Sequence, residues 1–186
     1  MYCCCCCRPC RPRPFPPLPP VPPMPRPFPP LPPNPCFQKD FAQFVNSRRQ
    51  RVDTREAVAV EFPETVVDNG RCIRKCDRSN AIYLAPGKYN VNYFVNIRNQ
   101  QHLLNQQDVF TARLYLAGQA LDYTKSRTSL CDSHDSAIAF LSKSNIIEVR
   151  ETSLLQLFVN LNRLDNIQCA PDYRLSNASI VIERIC

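Results

Sequence analysis

Only three glycines occur among 186 residues. That scarcity excludes a collagen-type Gly-X-Y repeat, a dinucleotide-binding fingerprint and a phosphate-cradling loop, because each uses glycine where the backbone must approach a chain or ligand closely. Tryptophan is absent, and the two histidines, His102 and His134, have no HxxxH-type spacing, which argues against a histidine-based zinc enzyme. No apolar run is long enough for a membrane-spanning helix. Met1-Tyr2-Cys3-Cys4-Cys5-Cys6-Cys7-Arg8-Pro9 shows no charged segment followed by an apolar core, so no secretory signal is recognisable. Acids are missing from residues 1–36, which hold four of the 23 basic side chains; the rest of the chain sets 19 basic groups against all 16 acidic ones. Those signs alternate, as in Asp53-Thr54-Arg55-Glu56 and Glu148-Val149-Arg150-Glu151, the pattern of a solvated surface and not of a nucleic-acid site.

Proline and cysteine are abundant instead. Sixteen of the 19 prolines lie between Pro9 and Pro35. Arg13-Pro14-Phe15-Pro16-Pro17-Leu18-Pro19-Pro20 recurs letter for letter at Arg26-Pro27-Phe28-Pro29-Pro30-Leu31-Pro32-Pro33. The unit is x-Pro-Pro with apolar x, namely Phe15, Leu18, Val21, Met24, Phe28 and Leu31. Polyproline II has about three residues per turn, so these side chains share one edge, with a slip between Met24 and Phe28. At about 3.1 Å per residue the segment spans roughly 80 Å. The composition fits a rigid spacer, a ligand for SH3-type grooves or a self-associating stalk. Strict repetition of large apolar x residues favours the stalk.

Residues 37–55 read as a collar. Phe37, Phe41, Phe44 and Val45 fall at helical spacing, with Arg48, Arg49 and Arg51 suited to a helix C-terminus. A loop whose phenylalanines pack on the head is the competing reading. From Glu56 the period becomes two: Tyr89, Val91, Tyr93, Val95 and Ile97 alternate with polar residues and Phe94, and Phe110, Ala112, Leu114 and Leu116 end at Ala117-Gly118. Further apolar runs cover 57–62, 137–141, 146–149, 154–161 and 178–185. The expected fold is all-β, an antiparallel sandwich or barrel.

The segment Ala81-Ile82-Tyr83-Leu84-Ala85-Pro86-Gly87-Lys88-Tyr89-Asn90-Val91-Asn92-Tyr93 resembles the turn and tyrosine-bearing strand of tumour-necrosis-factor and complement-globular-head domains. Asn177 to Ile185 is similar to the closing strand, and Arg113 to Leu121 to the middle strand and turn, of the collagen-like glycoproteins on Bacillus spores. The resemblance covers residues 56–186 and implies a jelly-roll head that associates as a trimer. Those spore proteins carry a Gly-X-Y stalk, which x-Pro-Pro replaces here. A cysteine-bearing N-terminal connector before such a head resembles the subunits of endospore appendage fibres. The organisation expected is a connector (1–12), a polyproline stalk (13–36), a collar (37–55) and the head (56–186).

Adjacent residues are about 3.8 Å apart at Cα whereas a disulfide prefers about 5.5–6 Å, so Cys3, Cys4, Cys5, Cys6, Cys7 and Cys10 pair more easily between chains than within one. A thiolate metal cluster and S-acylation remain as rivals. Cys36 marks the end of the stalk. Cys72 and Cys76 bridge each other or accept outside partners. If the first and last strands of the jelly roll are antiparallel, Cys186 belongs at the stalk end and Cys169 at the distal end; counting alternating strands puts Cys131 near the base. Cys131-Asp132-Ser133-His134-Asp135 gathers groups suited to chemistry, yet it has no second histidine and reads as a polar turn.

The sequence therefore predicts a non-enzymatic structural subunit with no cofactor and no metal. It pairs with itself as a homotrimer and head-to-tail polymer, in an extracellular or spore-surface fibre locked by disulfides. A surface-displayed binding module on a rigid stalk and a metal-thiolate protein are the alternatives.

Overall fold

The chain divides into two units, Met1–Pro33 and Asn34–Cys186. The computed structural model describes residues 40–52, 56–76, 80–99, 108–129, 138–162 and 172–185, all in the second unit. In chain order the strands are β1 (Phe41–Asn46), β2 (Gln50–Arg51), β3 (Val58–Ala59), β4 (Glu64–Asn69), β5 (Ile73–Lys75), β6 (Ile82–Leu84) and β7 (Gly87–Asn99). Then come β8 (Val109–Leu116), β9 (Gln119–Ala120), β10 (Ser126–Ser129), β11 (Ile138–Val149), β12 (Ser153–Asn162) and β13 (Tyr173–Arg184). One sheet runs β11-β7-β13-β1-β4, with β2 on β13; the other runs β10-β8-β12-β6-β5, with β3 on β12 and β9 on β8. Every strand pair is antiparallel.

Period-two sequence builds the sandwich directly. On β7 the side chains of Tyr89, Val91, Tyr93, Val95 and Ile97 are all buried, and each such burial stabilises by about 1.5–3 kcal/mol. They meet Phe110, Ala112 and Leu114 of β8 and Leu155, Leu157 and Val159 of β12 in one core. Two tyrosines in that core need acceptors for their hydroxyls. Tyr93 donates to the carbonyls of Thr124 (2.6 Å) and Ala112 (3.2 Å), and Tyr89 to that of Ala85 (2.6 Å). Ala117 and Gly118 both have positive φ (51° and 78°), the requirement of a two-residue hairpin joining β8 to β9.

The helical reading of the collar is corrected. Residues 41–46 form β1, with Ala42, Phe44 and Asn46 buried and Phe41, Gln43 and Val45 on the opposite face. Apolar residues on both faces imitated a helical spacing. Because β1 lies between β13 and β4, the head's own sheet includes residues assigned to the collar.

The runs 137–141 and 146–149 belong to one continuous strand, β11, whose Ser142, Ser144 and the buried Asn145 keep the pairing with β7 unbroken. In β13 a bulge between Leu175 and Asn177 shifts the buried set from Tyr173 and Leu175 to Ala178, Ile180 and Ile182. That phase change hid the strand's first half.

Candidate functional site

Three parts of the chain converge where the described head begins. Asp40, just before β1, is buried, and its Oδ2 accepts from the Cys72 backbone N–H at 2.9 Å. The backbone N–H of Arg184, at the end of β13, donates to the Asp40 carbonyl at 2.8 Å. The Arg184 guanidinium then spreads over the turn before β5: Nη1 reaches Cys72 Sγ at 2.8 Å and Nη2 the Pro86 carbonyl at 3.0 Å. Gly70 leaves room for this packing. Its φ of +148° suits glycine, and an added Cβ would collide with the Asp40 carboxylate and stand 2.7 Å from the Asp40 Cβ. Burial pushes the Cys72 thiol up, and a hydrogen bond of the thiol itself with the Asp40 side chain acts in the same sense; the Arg184 charge opposes both without cancelling them. Cys72 is held as a thiol, the weak nucleophile of the thiol–thiolate pair. Burial likewise raises Tyr89, at the same end, to about 12.

Cys72 and Cys76 are both free and flank β5. The segment is extended, with Ala85 N–H donating to the Cys72 carbonyl and Cys76 N–H to that of Ala81. Four residues of extended chain separate Cα atoms by about 13 Å, twice the reach of a disulfide. The bridge between them, one of the two expectations for this pair, is excluded in this fold.

The second feature is the outward face of the β11-β7-β13-β1 sheet. Across β7 it carries Asn90, Asn92, Phe94 and Asn96; beside them lie Phe140, Ser142, Ser144 and Ile146 of β11. On the other side come Asn177, Ser179 and Val181 of β13, then Gln43 and Val45 of β1. None is charged. Phe140 and Ile146 are more than half exposed, at 58% and 65%, and the Phe140 ring lies against Phe94 with centroids 6.1 Å apart. Charges appear only at the ends, with Lys88, Glu148 and Glu183 at one and Arg98 at the other. Charge depletion with aromatic enrichment marks the centre of a protein interface. The strand alternation contained this face, but only the pairing register brings the four uncharged stretches side by side.

The other residues singled out from the sequence lie outside the described residues: Cys3, Cys4, Cys5, Cys6, Cys7, Cys10, Cys36, Cys131, Cys169 and Cys186, the stalk side chains Phe15, Leu18, Val21, Met24, Phe28 and Leu31, and the 131–135 cluster. The strand ends beside them are informative. Arg184 pairs alongside Tyr89 and Glu183 alongside Phe41, so β13 ends at the base, where β1 begins. Asn162 and Tyr173, which flank the segment containing Cys169, lie at the opposite end. So do Ser129 and Ile138, which flank the segment containing Cys131; counting strands had put this segment at the base. The count failed because β10, short and polar, adds a reversal that hydropathy does not register. Among the described residues no group of three or more histidine, cysteine or acidic side chains is placed to hold a metal ion.

No family model and no curated protein matches the sequence. Solved structures do. Murine APRIL at pH 5.0 superposes with a TM-score of 0.50 at 10% identity, over 77% of this chain and 98% of that one. Murine APRIL at pH 8.5 gives 0.51 at 9%, over 78% and 98%. The globular domain of zebrafish complement 1qA gives 0.50 at 11%, over 80% and 98%. The head has the jelly-roll fold of tumour-necrosis-factor and complement globular-head domains. No described helix is long and apolar enough to cross a membrane.

Proposed function

We propose that this chain is the structural subunit of a disulfide-stabilised extracellular fibre or spore-surface appendage, in which trimeric heads on polyproline stalks join head to tail through their N-terminal cysteines. The observation that carries the trimer is the uncharged face spanning β11, β7, β13 and β1. A second copy of the head suits it. The exposed Phe140 stands on β11, the edge strand, so the edge of one copy can lie on the face of the next, and three such contacts close by rotation. The polymer reading is supported by six cysteines within the first ten residues, which are poor partners for one another. It is supported also by the described ends beside Cys169, which lie opposite to Asp40, as a head-to-tail joint requires. No catalytic group, cofactor or metal enters this function.

Sedimentation equilibrium on residues 34–186 is expected to give a trimer, and Phe140→Asp a folded monomer; a wild-type monomer refutes the trimer. Replacing Cys3, Cys4, Cys5, Cys6, Cys7 and Cys10 by serine is expected to leave folded trimers and abolish denaturant-resistant polymer. Cys169→Ser tests the acceptor. Undiminished polymer bands on non-reducing gels from the six-serine variant overturn the joint. Assembly that survives reduction under mild denaturation favours the surface-displayed binding module instead.

A further inference from the structure

On the outward face of the other sheet two aromatic rings stand together. Phe158 of β12 and Tyr115 of β8 have centroids 4.5 Å apart, with their planes tilted by 53°. The register puts Phe158 between Arg113 and Ala59, and Tyr115 between Gln156 and Ala120. An alanine on one flank of each ring leaves that flank uncovered, and both rings are only half-buried.

A fixed charge pair borders the rings. The Arg113 guanidinium lies over Tyr115, 5.3 Å from the ring centroid, with Nη2 donating to the Tyr115 hydroxyl at 3.0 Å and Nη1 to the Asp122 carboxylate. Asp122 is held in place by the turn it opens, Asp122–Thr124. The buried Thr124 hydroxyl ties that turn to β8, accepting from the Leu114 N–H at 3.0 Å and donating to the Leu121 carbonyl at 2.6 Å. The Asp122 side chain is nevertheless 83% exposed, and its Oδ2 is unengaged among the described residues. These bonds use two of the five guanidinium N–H groups, so donors remain beside that acceptor.

We infer that this patch binds a neutral pyranoside, its apolar ring face laid on Tyr115 and Phe158 and two neighbouring hydroxyls shared by Asp122 and Arg113. Aromatic faces are electron-rich and attract the weakly positive C–H bonds of a sugar ring. The carboxylate accepts from one hydroxyl while the guanidinium donates to the next, a pairing that a vicinal diol satisfies and a hydrocarbon does not. Arg113 and Asp122 cancel in charge, which favours a neutral sugar over a phosphate or an acidic polysaccharide. A protein partner fits less well, because the centre of a protein interface is depleted of charge and here an open ion pair adjoins the rings. The uncharged face proposed to join copies of the head lies on the opposite sheet, so sugar binding stands or falls separately from the trimer.

The test is saturation-transfer NMR on the full chain, kept reduced, with methyl β-D-glucopyranoside as probe. All ring substituents of this sugar are equatorial, so both of its faces present axial C–H bonds. Irradiating the protein's aromatic protons is expected to saturate those axial protons. Asp122→Asn, at an exposed position that leaves the core intact, is expected to weaken binding by about tenfold or more, the loss of a hydrogen bond to a charged acceptor. Phe140→Asp, on the opposite sheet, should leave the signal intact. A permethylated glucoside, which keeps the C–H faces but loses the hydroxyl donors, should give none. No transfer to the glucoside, full binding by Asp122→Asn, loss of binding in Phe140→Asp, or equal transfer to the permethylated sugar (the mark of a surface that takes any apolar partner) overturns the assignment.

Discussion

Gly70→Ala is the sharpest test of how the base of the head is built. Two costs arise at this position. At a φ of +148° a side chain is strained, at about 1–3 kcal/mol. The new methyl group also meets the Asp40 carboxylate, and Asp40 is buried on a short side chain with nowhere to go. Displacing it breaks the 2.9 Å bond from Cys72 N–H to a charged acceptor, worth about 1.5–3 kcal/mol. The expected loss is about 3–5 kcal/mol, a fall in Tm of roughly 6–20 °C for a unit of this size. Gly118→Ala is the control. Its φ of +78° is equally unsuited to alanine, but nothing lies within 4 Å of an added Cβ, so its cost is about 1 kcal/mol. Calorimetry on reduced protein compares the two. In an Asp40→Gly background the Gly70→Ala cost should shrink to the conformational part, and the difference measures the coupling. Equal losses for the two alanines in the wild-type background would falsify the close approach of Asp40 and Gly70.

Alkaline stability follows from the two core tyrosines. Burial raises Tyr89 and Tyr93 to about 12 against about 10 in the unfolded chain, so their contribution is complete below pH 10 and is lost as pH climbs from 10 to 12; denaturant midpoints should fall across that window, and less so in Tyr89→Phe. Cys72, raised by burial and by Asp40, should alkylate at pH 8 more slowly than the same cysteine in unfolded protein, and peptide mapping of native protein should show no Cys72–Cys76 bridge; rapid labelling or that bridge counts against the arrangement at the base. Asn145 faces inward with its Nδ2 buried and unpartnered among the described residues, so Asn145→Leu should stabilise the head by about 1–2 kcal/mol in chemical denaturation, and a loss of stability would indicate a partner for that amide.

The central strands were legible because burial on one face writes a period of two into the sequence, as on β7 and β8. What escaped has separate physical causes. β1 carries apolar residues on both faces, β4 is exposed throughout, and β10 is polar, so none shows alternation. The bulge in β13 changes phase inside a single strand. The base cluster was less legible still, since Asp40, Gly70, Cys72 and Arg184 are distant in sequence and meet only through the pairing of β1 with β13 and β4. The excluded Cys72–Cys76 bridge shows the reverse limit: spacing of four permits a contact in a helix or turn, and only the strand between them forbids it.

The placement of β1 also sets how the head bears tension. The strand is gripped on both sides, by β13 and by β4, and a pull through the N-terminal segment enters it at Asp40, along its axis. If the head is held at its far end, beside Asn162 and Tyr173, that pull slides β1 past both neighbours, and its backbone hydrogen bonds share the load at once. If it is held instead through the residue after Ile185, both grips lie at one end, and β1 peels from β13 one bond at a time. In the proposed fibre the same fold would thus be a strong link or a weak one according to which cysteine received the next subunit, Cys169 or Cys186.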